Sequence, residues 1–184
     1  MQHGNDRMLK IMNRRGSVAD CKHLVEMIRS KFDKPILRTT MIVGFPSETE
    51  AEFNDLLAFV KEVKWDHLGA FTYSDEEDTL AYDMDGKIDQ EVMDQRLNRL
   101  MDVQYEIFKE KVDQMIGTTM EVLVEKQDGL TKLYYGRGHY NAPDDVDGNI
   151  VFSSQQPLKL GEFVLVKIKR NKGFDLIGEV VEGE

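Results

Sequence analysis

A chain of 184 residues with 41% hydrophobic and 32% charged residues has the make-up of a globular protein, long enough for one ordinary domain or two small ones, since domains cluster at roughly 100 to 150 residues. Its net charge of -10 argues against wholesale binding along a nucleic-acid backbone, which depends on clustered Lys and Arg, and suits a basic protein partner better. The single cysteine excludes an internal disulfide and cannot alone hold a structural zinc or an iron-sulfur cluster, while no apolar run reaches the ~18 residues of a membrane span and the N-terminus lacks the apolar stretch of a secretory signal, so a cytoplasmic location is expected.

Ser17 and Asp20 form a capping-box pattern, and Cys21, Leu24, Val25 and Ile28 follow at i, i+3, i+4, i+7, which predicts an amphipathic helix to about Lys31. Pro35 opens a β-rich run from Ile36 to Val43 that closes on Gly44 and Pro46. Ser47 with Glu50 gives a second capping pattern, and Phe53, Leu56, Leu57 and Val60 mark a helix face to about Val63. A strand follows at His67 to Tyr73. This alternation builds parallel sheets and barrels, although two strands do not close one. From Asp89 a long helix carries the stripe Met93, Leu97, Leu100, Met101, Gln104, Ile107, Phe108, Val112 and Met115, and ends at Gly117.

Beyond Gly117 the apolar period changes from 3.6 to about 2, which sets the expected boundary between residues 1–117 and 118–184. Thr119 to Glu125, Leu130 to Tyr135, Ile150 to Phe152, Glu162 to Lys169 and Asp175 to Val181 read as strands, with turns at Asp128-Gly129 and Asp147-Gly148. Five short strands in so few residues predict a small antiparallel barrel of the oligonucleotide-fold kind.

Taken together, QHGND at 2–6, MNRRG at 12–16, LRTTMIVGFPSETEAEF at 37–53, FTYSDEEDT at 71–79 and DLIGEV at 175–180 resemble the radical S-adenosylmethionine (SAM) methylthiotransferases in order and spacing along the whole chain. The resemblance implies the C-terminal part of a radical SAM (β/α) partial barrel followed by a TRAM domain, a small β-barrel that engages substrate. LRTT and DLIGEV look more like the RimO-type branch, which methylthiolates the β-carbon of an aspartate on a small-subunit ribosomal protein. Residues 118–184 contain 8 Lys and Arg against 11 Asp and Glu, and such an acidic barrel would steer a basic ribosomal protein. The family's cofactors are SAM and two [4Fe-4S] clusters. Their cysteine motifs are absent here, so this chain alone is expected to be inactive; it is also expected to be a monomer.

The resemblance also implies site residues. Ile42 and Gly44 match an adenine-contacting Ile-x-Gly segment at a strand end, with Phe45 beside them; glycine there would let a flat ring approach the backbone. Ser47 stands where the family has Gly. Arg38 and Thr40 share a strand face with Ile42. Arg38 is read either as a structural partner of a carboxylate or as a contact to SAM or to the substrate aspartate. Phe71, Tyr73 and Ser74 end the next strand, where barrels place their chemistry, although core packing explains Phe71 equally well. His3, in the QH pair, falls at another strand end.

Other features have plainer readings. Cys21 is expected to pack in the core. His3, His23, His67 and His139 share no metal-ligand spacing, and apart from His3 are read as solvent or turn residues. The run Asp75 to Asp78 is read as a solvated loop. Lys167, Lys169, Arg170 and Lys172 with Tyr134, Tyr135 and Arg137 offer an RNA-stacking alternative. A tRNA-modifying member of the same family and a non-catalytic RNA-binding or adaptor module are therefore the competing readings.

Overall fold

The computed structural model describes residues 1–142 and 146–181. The chain divides into two compact units, Met1–Phe108 and the remainder from Lys109.

The first unit is built on a two-stranded parallel sheet, β1 (Arg38–Val43) and β2 (His67–Thr72), joined by α3 (Glu50–Val63). Alternation along β1 puts Thr39, Met41 and Val43 inward and leaves Arg38, Thr40 and Ile42 on the opposite face. In register, Ile42 lies beside Phe71 and Thr40 beside Gly69. The inward face packs against Phe53, Leu56, Phe59, Val60 and Val63 of α3, Val25 of α2 (Val18–Lys31), Trp65, Leu68, and Leu100 and Ile107 of α4 (Gln90–Met115). A short helix, α1 (Asp6–Ile11), precedes them, capped by the Asn5 side chain, which accepts from the Arg7 and Met8 N–H groups. At six residues it is too brief to show a period in sequence.

Local chemistry sets these boundaries. The Ser17–Asp20 capping box opens α2 as its spacing predicts, but Leu24 points to solvent and Val25 alone is fully buried. Cys21 is half-buried beside the core, where desolvation raises its thiol pKa. The cap of α3 differs from expectation: it is Thr49, boxed with Glu52, and Ser47 lies two residues upstream in the left-handed region at φ +66°. Ser47 thus occupies a backbone region that glycine enters without cost, at a strain of about 1 kcal/mol. The stripe of α4 is also shifted, with Met101 partly exposed and Arg96 buried in its place.

The second unit is a closed barrel in the order β3-β4-β5-β7-β6, formed by β3 (Thr119–Gln127), β4 (Tyr134–Arg137), β5 (Ile150–Ser153), β6 (Phe163–Lys172) and β7 (Asp175–Val180). All neighbours are antiparallel except β5 and β7, which run parallel. The sequence predicts a wholly antiparallel barrel; the parallel seam arises because β6 crosses to the far side before β7 returns. Val122, Val124, Tyr134, Ile150, Phe152, Val166, Ile168 and Leu176 fill the interior. Gly136 lets two strands approach closely, since a Cβ there would sit 2.1 Å from the Leu123 carbonyl oxygen. The predicted strand from Leu130 is a loop instead. The Asp128 carboxylate accepts from the Leu130 and Thr131 N–H groups, so pairing resumes only at Tyr134 opposite Gln127.

Candidate functional site

The open face of the β1–β2 sheet and the strand ends above it carry the site. β-Branched and aromatic residues hold this segment extended, and Gly44 at φ +76° then turns the chain toward α3. A cavity of about 370 Å³ lies here, lined among others by Gln2, Thr40, Ile42, Phe45, Phe71 and Tyr73. Phe45 and Tyr73 meet edge to face, with ring centroids 5.1 Å apart. Met8 and Met12 back the Phe45 wall. Gln2 enters because its carbonyl accepts the Ile42 N–H at 3.0 Å, and its side chain accepts from Arg14 Nε at 2.5 Å.

Six of the nine residues singled out in the sequence line this one cavity: Thr40, Ile42, Phe45, Phe71, Tyr73 and Ser74. The other three do not. Arg38 is exposed at the opposite end of β1. Gly44 is backed by Met93 of α4; a Cβ would lie 2.2 Å from Met93 Cγ, so the glycine makes room for that side chain. His3 is wholly buried, with Nε2 at 2.8 Å from Glu48 Oε1 and Nδ1 accepting the Asn5 N–H.

Glu48 is the residue that sequence reasoning misses. Its second oxygen accepts the Gly44 N–H at 2.8 Å and Arg96 Nη1 at 2.6 Å, while Arg96 Nη1 also reaches the Glu48 carbonyl at 3.1 Å. A buried His–carboxylate–guanidinium group therefore fixes the Gly44 turn under the cavity wall. The signal available in sequence was Arg96 itself, three residues after Met93 and four before Leu100 on the buried stripe. Met12, Gln2 and Arg14 also line the cavity without having been singled out. They lie in stretches that carry the family resemblance, yet no residue spacing points to them.

A second hollow of about 340 Å³ lies on the other side of Tyr73, lined by Thr72, Ser74, Asp75, Lys87, Gln90 and Met93 among others. The Tyr73 hydroxyl is shielded from solvent, and no group among the described residues meets hydrogen-bonding geometry with it. Burial raises its pKa, and the nearby Asp75 carboxylate pushes the same way. Lys87 pairs with Asp75 and lies 5.2 Å from the Tyr73 ring centroid.

The predicted RNA surface on the barrel is reduced by the structure. Tyr134 is inside, stacked on Phe152 at 5.9 Å, and its hydroxyl accepts the Leu158 N–H. Arg137 pairs with Glu125, and Lys169 with Glu179. His67, read from sequence as a solvent or turn residue, is buried.

Comparison with known proteins decides the family. A TRAM domain model matches residues 116–181. The ribosomal protein uS12 methylthiotransferase RimO of Acetivibrio thermocellus is 42% identical over 183 residues, covering 98% of this chain and 40% of its own length. That of Clostridium botulinum is 43% identical over 184 residues, with 100% and 40% covered, and that of Thermotoga sp. is 42% identical over 180 residues, with 98% and 41% covered. The chain belongs to the RimO family. It spans about 40% of the length of these RimO relatives.

The residues present fit the family's two cofactors differently. The mixed cavity, with Ile42, Phe45 and Phe71 as apolar walls and Thr40, Ser74 and Gln2 as polar points, has the volume and chemistry of a nucleoside site, small-molecule pockets being roughly 300–1,000 Å³. An iron-sulfur cluster does not fit, because such a cluster is held by several thiolates and this chain offers Cys21 alone. Among the described residues no three His, Cys, Asp or Glu are grouped to hold a metal ion, and no helix is long and apolar enough to cross a membrane.

Proposed function

We propose that this chain is the C-terminal portion of a radical SAM methylthiotransferase that modifies the β-carbon of an aspartate on the small-subunit ribosomal protein uS12. It would contribute one wall of the SAM site and the TRAM barrel that recognises the substrate. The observation that carries this reading is the convergence of Thr40, Ile42, Phe45, Phe71 and Tyr73 on one cavity at adjacent parallel strand ends, within a RimO homologue.

In this reading Ile42 and Phe71, neighbours across the sheet, form the floor on which the flat adenine lies, and Phe45 closes the apolar side. Thr40 and Ser74 supply hydrogen bonds to the sugar or to ring nitrogens. His3, Glu48 and Arg96 position the wall without touching the ligand. SAM supplies the hydrogen abstraction and the methyl group of such a reaction, and the clusters would be held by parts of the family's length beyond this chain.

Titration of the isotopically labelled chain with S-adenosylmethionine tests this. The amide signals of Ile42, Phe45, Phe71 and Tyr73 and the methyl signals of Ile42 should shift together, and Ile42→Asp should weaken binding at least tenfold. Shifts confined to the barrel, or no shift at millimolar ligand, would overturn the reading.

A further inference from the structure

Among the described residues the outer edge of β2 pairs with no other strand, and the hydrogen-bond phase of that edge can be read directly. The N–H of His67 donates to Leu37 and that of Tyr73 to Val43, six residues later. Backbone groups alternate sides along a strand, so the odd-numbered residues of β2 bond toward β1. The N–H and C=O groups of Ala70 and Thr72 therefore face away from β1, and among the described residues nothing bonds to them.

Edges of this kind are usually blunted by Lys, Pro or other charges. From His67 to Thr72, HLGAFT, β2 has none of these. Gly69 presents no side chain, with nothing within 4 Å of where its Cβ would be, and Phe71 is 64% exposed. The edge leads to the polar hollow that Thr72 lines beside Tyr73. The segment that follows, residues 75–89, carries seven exposed acidic residues and one cation, Lys87, which pairs with Asp75.

We propose that the outer edge of β2 docks an extended segment of a basic protein, which adds as a third strand. This rests on the reading of the chain as part of a protein-modifying enzyme and names how its substrate is held. Main-chain hydrogen bonds to Ala70 and Thr72 give the register, and Asp75 to Asp78, Asp83 and Asp85 attract the cationic side chains of the segment. Side chains of an added strand alternate in direction. Every second one therefore lies on the Phe71 face, directed toward the cavity lined by Ile42 and Phe71, where a carbon to be modified must be presented.

The probe is an eleven-residue peptide of alternating Lys and Val with a central Asp, added to the labelled full chain. At saturating peptide, amide exchange at Ala70 and Thr72 should slow at least tenfold while Gly69 and Phe71 hold their rates. An ester in place of one central peptide amide should weaken binding at least threefold, and reversing Glu76, Glu77 and Asp78 to Lys at least fivefold. Ala70→Pro should abolish the protection; the ester probe keeps the test valid where that variant does not fold. Protection falling on β3 or β6 of the barrel, or no slowing at Ala70 and Thr72, would overturn the proposal. Titration of the same sample with S-adenosylmethionine reads the nucleoside site separately, so the two can fail independently.

Discussion

Arg7 grips the Glu52 carboxylate with two nitrogens, the Nη2 contact being 2.8 Å, while Glu52 also closes the capping box with Thr49. The Arg7 bond, followed by those from Thr49, holds the Glu52 pKa at about 2 against burial, which opposes it. A depressed carboxylate pKa stabilises the fold fully above the ordinary value of 4.5, and that contribution is lost as the pH falls toward 2. Because Arg7 is half exposed, solvent screening reduces it to about 1–2 kcal/mol. Glu52→Gln keeps the capping geometry and removes only the charge. Urea unfolding should show it less stable than the parent by that amount at pH 7, with the gap closing by pH 2. A constant gap would place the effect in the cap.

At the scale of elements, α4 carries both the core stripe and the guanidinium that neutralises Glu48. Removing one partner of a buried ion pair leaves a charge without compensation, a loss of about 3–5 kcal/mol. Arg96→Ala should lower the midpoint of first-unit unfolding accordingly and broaden the Gly44 amide signal, while Arg99→Ala, whose partner Glu50 is exposed, should change stability by under about 1 kcal/mol. This cluster marks where sequence legibility stopped. Period and capping residues gave the existence and rough span of α2, α3, α4, β1 and β2, because these signals are local. The partnership of residues 3, 48 and 96 depends on contacts across some 45 positions in sequence, to which no window is sensitive. For the same reason the packing of Met93 against Gly44 is invisible to a local reading. The loop at Asp128 was misread as a tight hairpin because the side-chain bonds that lengthen it were invisible next to an Asp-Gly pair.

For the molecule as a whole, the boundary at Gly117 expected from the change of apolar period and the division at Lys109 differ by two turns of α4. Those turns bond to barrel residues: Asn171 donates to Asp113 at 2.7 Å. The Gly117 N–H, just past the helix, donates to the Ile168 carbonyl at 2.8 Å. A closed five-stranded sheet with its own apolar interior has what an independent fold needs. Expressed alone, residues 109–184 should give dispersed amide signals and a single cooperative melt, whereas a start at 118 should melt lower by several degrees. Equal melting of the two would show that the helix turns contribute nothing.

The parallel seam between β5 and β7 has a consequence for synthesis. β3, β4, β5 and β6 all precede in the chain the strand that unites β5 with β6, so two edges of an otherwise finished sheet stay open until β7 is in place. A chain stopped before Asp175 would keep the apolar lining of the barrel and both unpaired edges, the combination that drives neighbouring chains to pair with one another. Premature termination there should be met as insoluble protein, and the codons of β7 become as consequential as any in the core.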